Sequence, residues 1–200
     1  MKRWDLINYL IEKFNYKTYL EIGVDSGTCF SNVIVIDKVS VDPAIEYSWA
    51  QPTFKMTSDE FFANNNLKFD IIFIDGLHHS EQVDKDIQNS INCLTENGCV
   101  LIHDANPYSE IAQRVPRESR YWTGDVWKSI VKYRASNSSL GCVVLDLRPT
   151  EEGTAIIKNT IQSNFTLEMP EVLTYKWLET KRIEALGLIS NVDSYLINLQ

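Results

Sequence analysis

Thr18-Tyr19-Leu20-Glu21-Ile22-Gly23-Val24-Asp25-Ser26-Gly27-Thr28 opens on a short apolar run that carries an acid, then places two glycines four residues apart. The pattern reads as a first β-strand over about 18–22, a tight glycine turn and the start of a helix. In an open α/β sheet, ligands lie over the carboxyl ends of the strands, beside turns of this kind. The turn departs from both common phosphate-binding patterns. Asp25 stands where G-x-G-x-x-G needs its middle glycine, and no lysine follows Gly27 as G-x-x-x-x-G-K-[ST] requires. Glu21 and Asp25 also put negative charge where a pyrophosphate would sit, so a ligand with a cationic end suits the turn better.

Outward from this stretch, apolar and helical periodicities alternate. Trp4, Leu6, Ile7, Leu10, Ile11 and Phe14 recur at helical spacing ahead of the first strand. Residues 28–34 read as a helix and Val35–Val41 as a strand that Pro43 stops. A loop or short helix is expected over 44–51 and a third strand over Thr53–Met56. Thr57 or Ser58 is expected to cap a helix that Asn64-Asn65-Asn66 breaks. Phe69-Asp70-Ile71-Ile72-Phe73-Ile74 is nearly unbroken apolar sequence, suited to a central parallel strand buried on both faces. A helix over 80–94 follows, then a turn at Asn97-Gly98 and a strand over Cys99–Ile102. Residues 105–125 are polar and irregular, longer than a bare connection needs to be. Later come a helix at 126–133, a strand at Gly141–Leu147 and its hairpin partner at Thr154–Lys158. Helical segments near 171–185 and 191–198 close the chain. The expectation is one α/β domain over 1–200, a doubly wound, mostly parallel sheet of about seven strands with an antiparallel edge strand. Residues 105–125 would form its active-site loop and 171–200 a helical C-terminal tail, which could also present a homodimer face.

The composition narrows the partners. Net charge is −8 over 200 residues, with no basic run, which argues against nucleic acid. Neither a signal peptide nor a membrane span is read, so a cytoplasmic protein is expected. Cys29, Cys93, Cys99 and Cys142 form no C-x-x-C pair and read as buried free thiols rather than a zinc site or disulfides. The sequons at Asn137 and Asn164 carry little weight without secretion.

Asp42 ends the second strand 19 residues after Gly23. An acid there can accept both hydroxyls of a ribose, as it does in dinucleotide sites; its plainer reading is a turn cap before Pro43. Taken together, Glu21-Ile22-Gly23-Val24-Asp25-Ser26-Gly27 and Asp42 resemble class I S-adenosylmethionine-dependent methyltransferases, whose motif runs E-x-G-x-x-x-G. Asp75-Gly76-Leu77-His78, His103-Asp104 and Gly124-Asp125-Val126-Trp127-Lys128 resemble a bacterial subfamily associated with glycan and natural-product O-methylation. The likeness spans about residues 15–147, and Ser80 departs from the aromatic expected at its position. The resemblance implies a Rossmann-like fold and S-adenosylmethionine as cofactor, held by Glu21, Gly23, Asp25, Gly27, Asp42 and Asp75, with Ser58 and Asp59 near the adenine.

The same resemblance makes the strands ending at Asp75 and Asp104 neighbours. Two carboxylates side by side need a proton or a cation between them. Oxygen ligands with one imidazole favour Mg2+ or Mn2+ over zinc, so Asp75, His78 and Asp104 are candidate metal ligands. Equally, Asp75 would cap a helix and Asp104 bond a loop. His78, His79 and His103 are the chain's only histidines, all within two strand-end loops. Imidazole titrates near working pH, so His78 or His103, with Asp104, is a candidate for removing the acceptor's proton. Trp122 is a candidate sugar-stacking wall and Asp125 a candidate substrate contact, while Trp127 reads as core. The expected activity is O-methyl transfer to a hydroxylated small molecule or sugar. A non-catalytic cofactor-binding module of the same fold is the alternative, and an NAD-type oxidoreductase is disfavoured by the glycine pattern.

Overall fold

The computed structural model describes residues 1–44, 51–136, 138–162 and 165–200. The loop or short helix expected over 44–51 and both sequon asparagines lie largely or wholly outside them. Two compact units form, Met1–Leu77 with Lys85–Ile102 and His78–Asp84 with His103–Gln200.

The first unit opens with helix α1 (Arg3–Phe14), closed by Asn15 in the left-handed conformation. Strand β1 (Thr18–Ile22), helix α2 (Thr28–Asn32), strand β2 (Asp37–Val41), helix α3 (Ser58–Asn64) and strand β3 (Phe69–Ile74) follow. Helix α4 (Ser80–Asn92) and strand β4 (Leu94–Ile102) complete it, α4 beginning in the second unit's segment. Within this unit the strand order is β2-β1-β3-β4, and every pairing is parallel. Side chains from Ile71 to Ile74 are buried, as a strand flanked on both sides should be. Leu6, Ile7 and Leu10 dock α1 with no exposure at all.

Two expectations need correcting in this unit. Thr53–Met56 is no full strand: Phe54 makes one isolated parallel bridge to Val41. Pro52 on one side and the Thr57 cap on the other leave too little chain to pair further; Thr57 accepts from Glu60 N, and Glu60 bonds back to Thr57 N. Asn97-Gly98 lies inside β4, not ahead of it. There the ladder steps from Phe69↔Leu94 to Ile71↔Cys99, so Thr95–Gly98 swell out of register. Asp70 holds this irregular end, accepting from Thr95 Oγ1 at 2.7 Å and from the Lys17 and Thr18 amides at 2.8 and 3.1 Å.

The second unit carries helix α5 (Val126–Ala135), strands β5 (Gly141–Leu145) and β6 (Thr154–Lys158), helix α6 (Tyr175–Leu186), strand β7 (Leu188–Ile189) and helix α7 (Val192–Asn198). β5 and β6 pair antiparallel over five residue pairs, the antiparallel element that the sequence led one to expect. β7, which no sequence pattern marks, adds two parallel pairs to β5 between the two helical segments expected near 171–185 and 191–198. Two residues are too few for a periodicity to register. Trp127, Ile130 and Val131 of α5 are fully buried, as are Cys142, Val144, Leu145 and Ala155–Ile157. Arg134 is buried too, and its guanidinium reaches the Ala185 carbonyl at 3.0 Å and that of Glu184 at 3.4 Å. It thereby satisfies acceptors that the end of α6 would otherwise leave open. Among the described residues, no helix is long and apolar enough to cross a membrane.

Candidate active site

In the first unit, β2, β1, β3 and β4 end level: Val41 pairs with Ile22, Ile22 with Ile74, and Ile74 with Ile102. The next residue after each strand is therefore Asp42, Gly23, Asp75 and His103. All four of these positions are singled out in the sequence, from separate motifs, and strand register accounts for their recurrence.

Gly23 has φ +90, and a side chain there would collide with the Asp75 carbonyl and Gly76 Cα. Only glycine allows the β1 exit to lie against the β3 exit in this way. Gly27 (φ 71) and exposed Asp25 (φ 44) complete a turn whose backbone is left-handed at three positions. Asp42 anchors that turn. Its Oδ2 accepts from Val24 N at 2.7 Å and Asp25 N at 3.3 Å, and its Oδ1 from Ala44 N at 2.8 Å. Glu21 is buried and accepts the Tyr19 hydroxyl. Burial pushes its carboxyl up to about 7; the Tyr19 bond pulls the other way. Asp75 bears a partner that sequence reading missed, the Arg3 guanidinium from the first turn of α1. Ser58 opens α3 while Thr57 supplies its cap, and exposed Asp59 pairs with Lys85 at 3.0 Å.

The second unit holds the histidines. His78 Nδ1 lies 3.3 Å from Asp104 Oδ2, and His103 Nδ1 lies 3.1 Å from Asp104 Oδ1. His103 Nε2 meets Glu151 Oε2 at 3.1 Å. His103, Asp104 and Glu151 are all buried, and Asp104 has φ 56. His103 therefore sits between two carboxylates rather than at an open edge. Glu151 escaped the sequence reading because it lies 48 residues from His103 in an undistinguished turn, where nothing signals its partner.

Trp122 stacks on His78 with ring centroids 5.2 Å apart and meets His79 edge-on at 6.1 Å. Its indole N–H bonds the Arg114 carbonyl at 2.6 Å, which ties the wall into the 105–125 loop. Asp125 is engaged internally: Ser80 N and Oγ donate to it at 2.7 and 3.1 Å, and Lys128 Nζ at 3.0 Å. Ser80, where an aromatic was expected, is buried and also accepts from Ser129 Oγ at 2.8 Å. Here it works as a polar joint between the starts of α4 and α5. The Gly124-Asp125 motif thus fastens the loop to the His78 backbone, with Asp125 N bonding His78 O at 3.1 Å.

A family model described as a methyltransferase domain matches residues 44–105, from the exit of β2 to just past the exit of β4. No curated protein matches the chain. Among solved structures it is similar to cofactor-bound Rv0187 from MTB, with TM-score 0.60 and 12% identity over 78% of each chain. It is similar also to the O-methyltransferase from Bacillus cereus in complex with SAH, with TM-score 0.58 and 10% identity over 78% of this chain and 80% of that one. The O-methyltransferase TomG from Streptomyces achromogenes, involved in tomaymycin synthesis and in complex with SAM, gives TM-score 0.57 and 13% identity over 78% of each chain. The shared feature at such identities is the fold.

Proposed function

We propose that this chain is an S-adenosylmethionine-dependent O-methyltransferase acting on a hydroxylated small molecule or sugar. The observation that carries the reading is the level edge of the first unit, where Glu21, Asp25, Asp42 and Asp75 surround a glycine turn held by Asp42. That donor set fits the cofactor. A turn rich in carboxylates suits a ligand with a sulfonium and an ammonium, and Gly23 lets that turn lie against the β3 exit. Asp42, oriented by two turn amides, would accept the ribose hydroxyls. Ser58 and Asp59 are the proposed neighbours of the adenine.

When bound, the cofactor supplies an electrophilic methyl group for in-line transfer to oxygen. What remains for the protein is alignment and removal of the acceptor's proton. His78 is the proposed base. Asp104 Oδ2 lies 3.3 Å from its Nδ1 and Trp122 stacks on the ring plane, an arrangement that would direct the imidazole before the acceptor arrives. His103, enclosed by Asp104 and Glu151, is the group that positions Asp104. Trp122 would also offer a flat apolar surface to a sugar or ring acceptor.

A metal-assisted version has its own supporting observation. An octahedral ion with bonds of about 2.1 Å places adjacent ligands about 3 Å apart, and His78 Nδ1 stands 3.3 Å from Asp104 Oδ2. In that version these two atoms would hold Mg2+ or Mn2+, and the ion would lower the acceptor hydroxyl's pKa.

The test is calorimetry with S-adenosylmethionine, followed by turnover across hydroxylated acceptors with and without a chelator. Absence of binding sinks the cofactor assignment. Turnover that persists in chelator assigns the proton to His78 alone, and turnover restored only by Mg2+ or Mn2+ assigns the ion. Binding without turnover on any acceptor leaves a cofactor-binding module of the same fold.

A further inference from the structure

The acids around the glycine turn explain how two positive centres are held, but S-adenosylmethionine also carries a carboxylate. A carboxylate placed among Glu21, Asp25, Asp42 and Asp75 meets only repulsion unless a cation accompanies it. A cation of the first unit touches this set. Arg3 Nη1 donates to Asp75 Oδ2, with the two side chains 27% and 16% exposed. Arg3 is also near enough to Glu21 to act on its carboxyl, opposing the effect of Asp75. It is therefore reachable from solvent and sits over the strand exits rather than on an outer face.

We propose that Arg3 is the anchor for the cofactor's amino-acid carboxylate, a role no motif of the chain marks. The proposal rests on the cofactor reading above. A guanidinium has five N–H donors in a planar fork, enough to keep Asp75 and grip a second carboxylate at the same time. Its base is rigid: Arg3 begins α1, and Leu6, Ile7 and Leu10 of that helix are fully buried. The fork is thus held in place before ligand binds, which lowers the entropy cost of gripping it. Asp75 then has a second task, aligning Arg3, besides any contact of its own with the ligand.

The experiment is calorimetry on the full chain with two ligands differing only in the carboxylate, S-adenosylmethionine and its decarboxylated form. Wild type is expected to prefer the carboxylate-bearing ligand by about tenfold or more, the yield of one charge-assisted pair. Arg3→Met should remove that preference while binding of the decarboxylated ligand changes less than about twofold, and Arg3→Lys should restore part of it. Thermal melts of each variant report whether the fold is kept. Equal affinity of wild type for the two ligands overturns the proposal even if neither variant folds, as does an equal loss of both ligands in folded Arg3→Met. Wild type that binds neither ligand overturns the cofactor reading itself, a result distinguishable from failure of the anchor alone.

Discussion

Asp42 Oδ2 accepts a hydrogen bond from the backbone of Val24 at 2.7 Å, across 18 residues of chain. The acid proposed to hold the ribose is therefore also the clamp on the glycine turn. The two duties separate by substitution. Asp42→Ala removes the clamp and is expected to lower stability by about 1–3 kcal/mol, the cost of leaving backbone donors without their acceptor. Asp42→Asn keeps one acceptor oxygen for the turn amides but sets its NH2 against the Ala44 N–H, so it should melt between the Ala variant and wild type, yet bind S-adenosylhomocysteine about tenfold more weakly. Thermal melts paired with calorimetry check both, and an Asn variant that binds normally would remove Asp42 from the ribose site.

Glu21 makes stability fall towards neutral pH. Its carboxyl is raised from 4.5 to about 7 in the folded chain because burial penalises the charge. Between those values the folded state binds the extra proton, so raising pH favours unfolding. The stabilisation is complete below about 4.5 and lost as pH passes 7, a change on the order of 3 kcal/mol. Glu21→Gln should flatten the denaturant midpoint across this window. A wild-type midpoint with no fall attributable to Glu21 counts against the buried, protonated state.

Gly124 has φ +57, and a Cβ there would overlap the His78 carbonyl. Gly124→Ala is therefore expected to cost about 3 kcal/mol or more, since it combines backbone strain with a backbone collision. The loss should show in chemical denaturation, and activity should fall even where the chain remains folded, because His78 is the residue displaced. A variant of wild-type stability would mean that the turn relaxes freely.

Glu151 should act through His103. Glu151→Ala strips a buried imidazole nitrogen of its acceptor at a cost of about 1–3 kcal/mol. With turnover established, Glu151→Gln is expected to lower kcat while cofactor affinity stays within about twofold, since Asp104 loses alignment and the glycine turn is untouched. Steady-state kinetics beside calorimetry separates the two; a change in cofactor affinity alone would place Glu151 elsewhere in the mechanism.

Much of this was legible in the chain because the signals are local. Glu21-Ile-Gly23 followed by Gly27 specifies a strand, a left-handed turn and a helix from within ten residues. The unbroken run Phe69–Ile74 announces a strand covered on both faces. The same locality produced the errors: Asn97-Gly98 looks like a turn whether it precedes a strand or swells out of one, and Phe54 carries strand-like neighbours but makes a single bridge. Asp125 is polar and flanked by a conspicuous motif, and only its bonds to Ser80 and Lys128 reveal where its oxygens are spent.

By itself the sequence determined the alternation of strands and helices, the glycine turn and the acids that follow β2 and β3, since these follow from periodicity and backbone sterics over short spans. Only the tertiary structure decided which side chains answer those acids. Arg3 on Asp75 and Glu151 on His103 join residues 72 and 48 positions apart. A charge pair depends on distance in space and on burial, and neither is written in the spacing of residues along the chain.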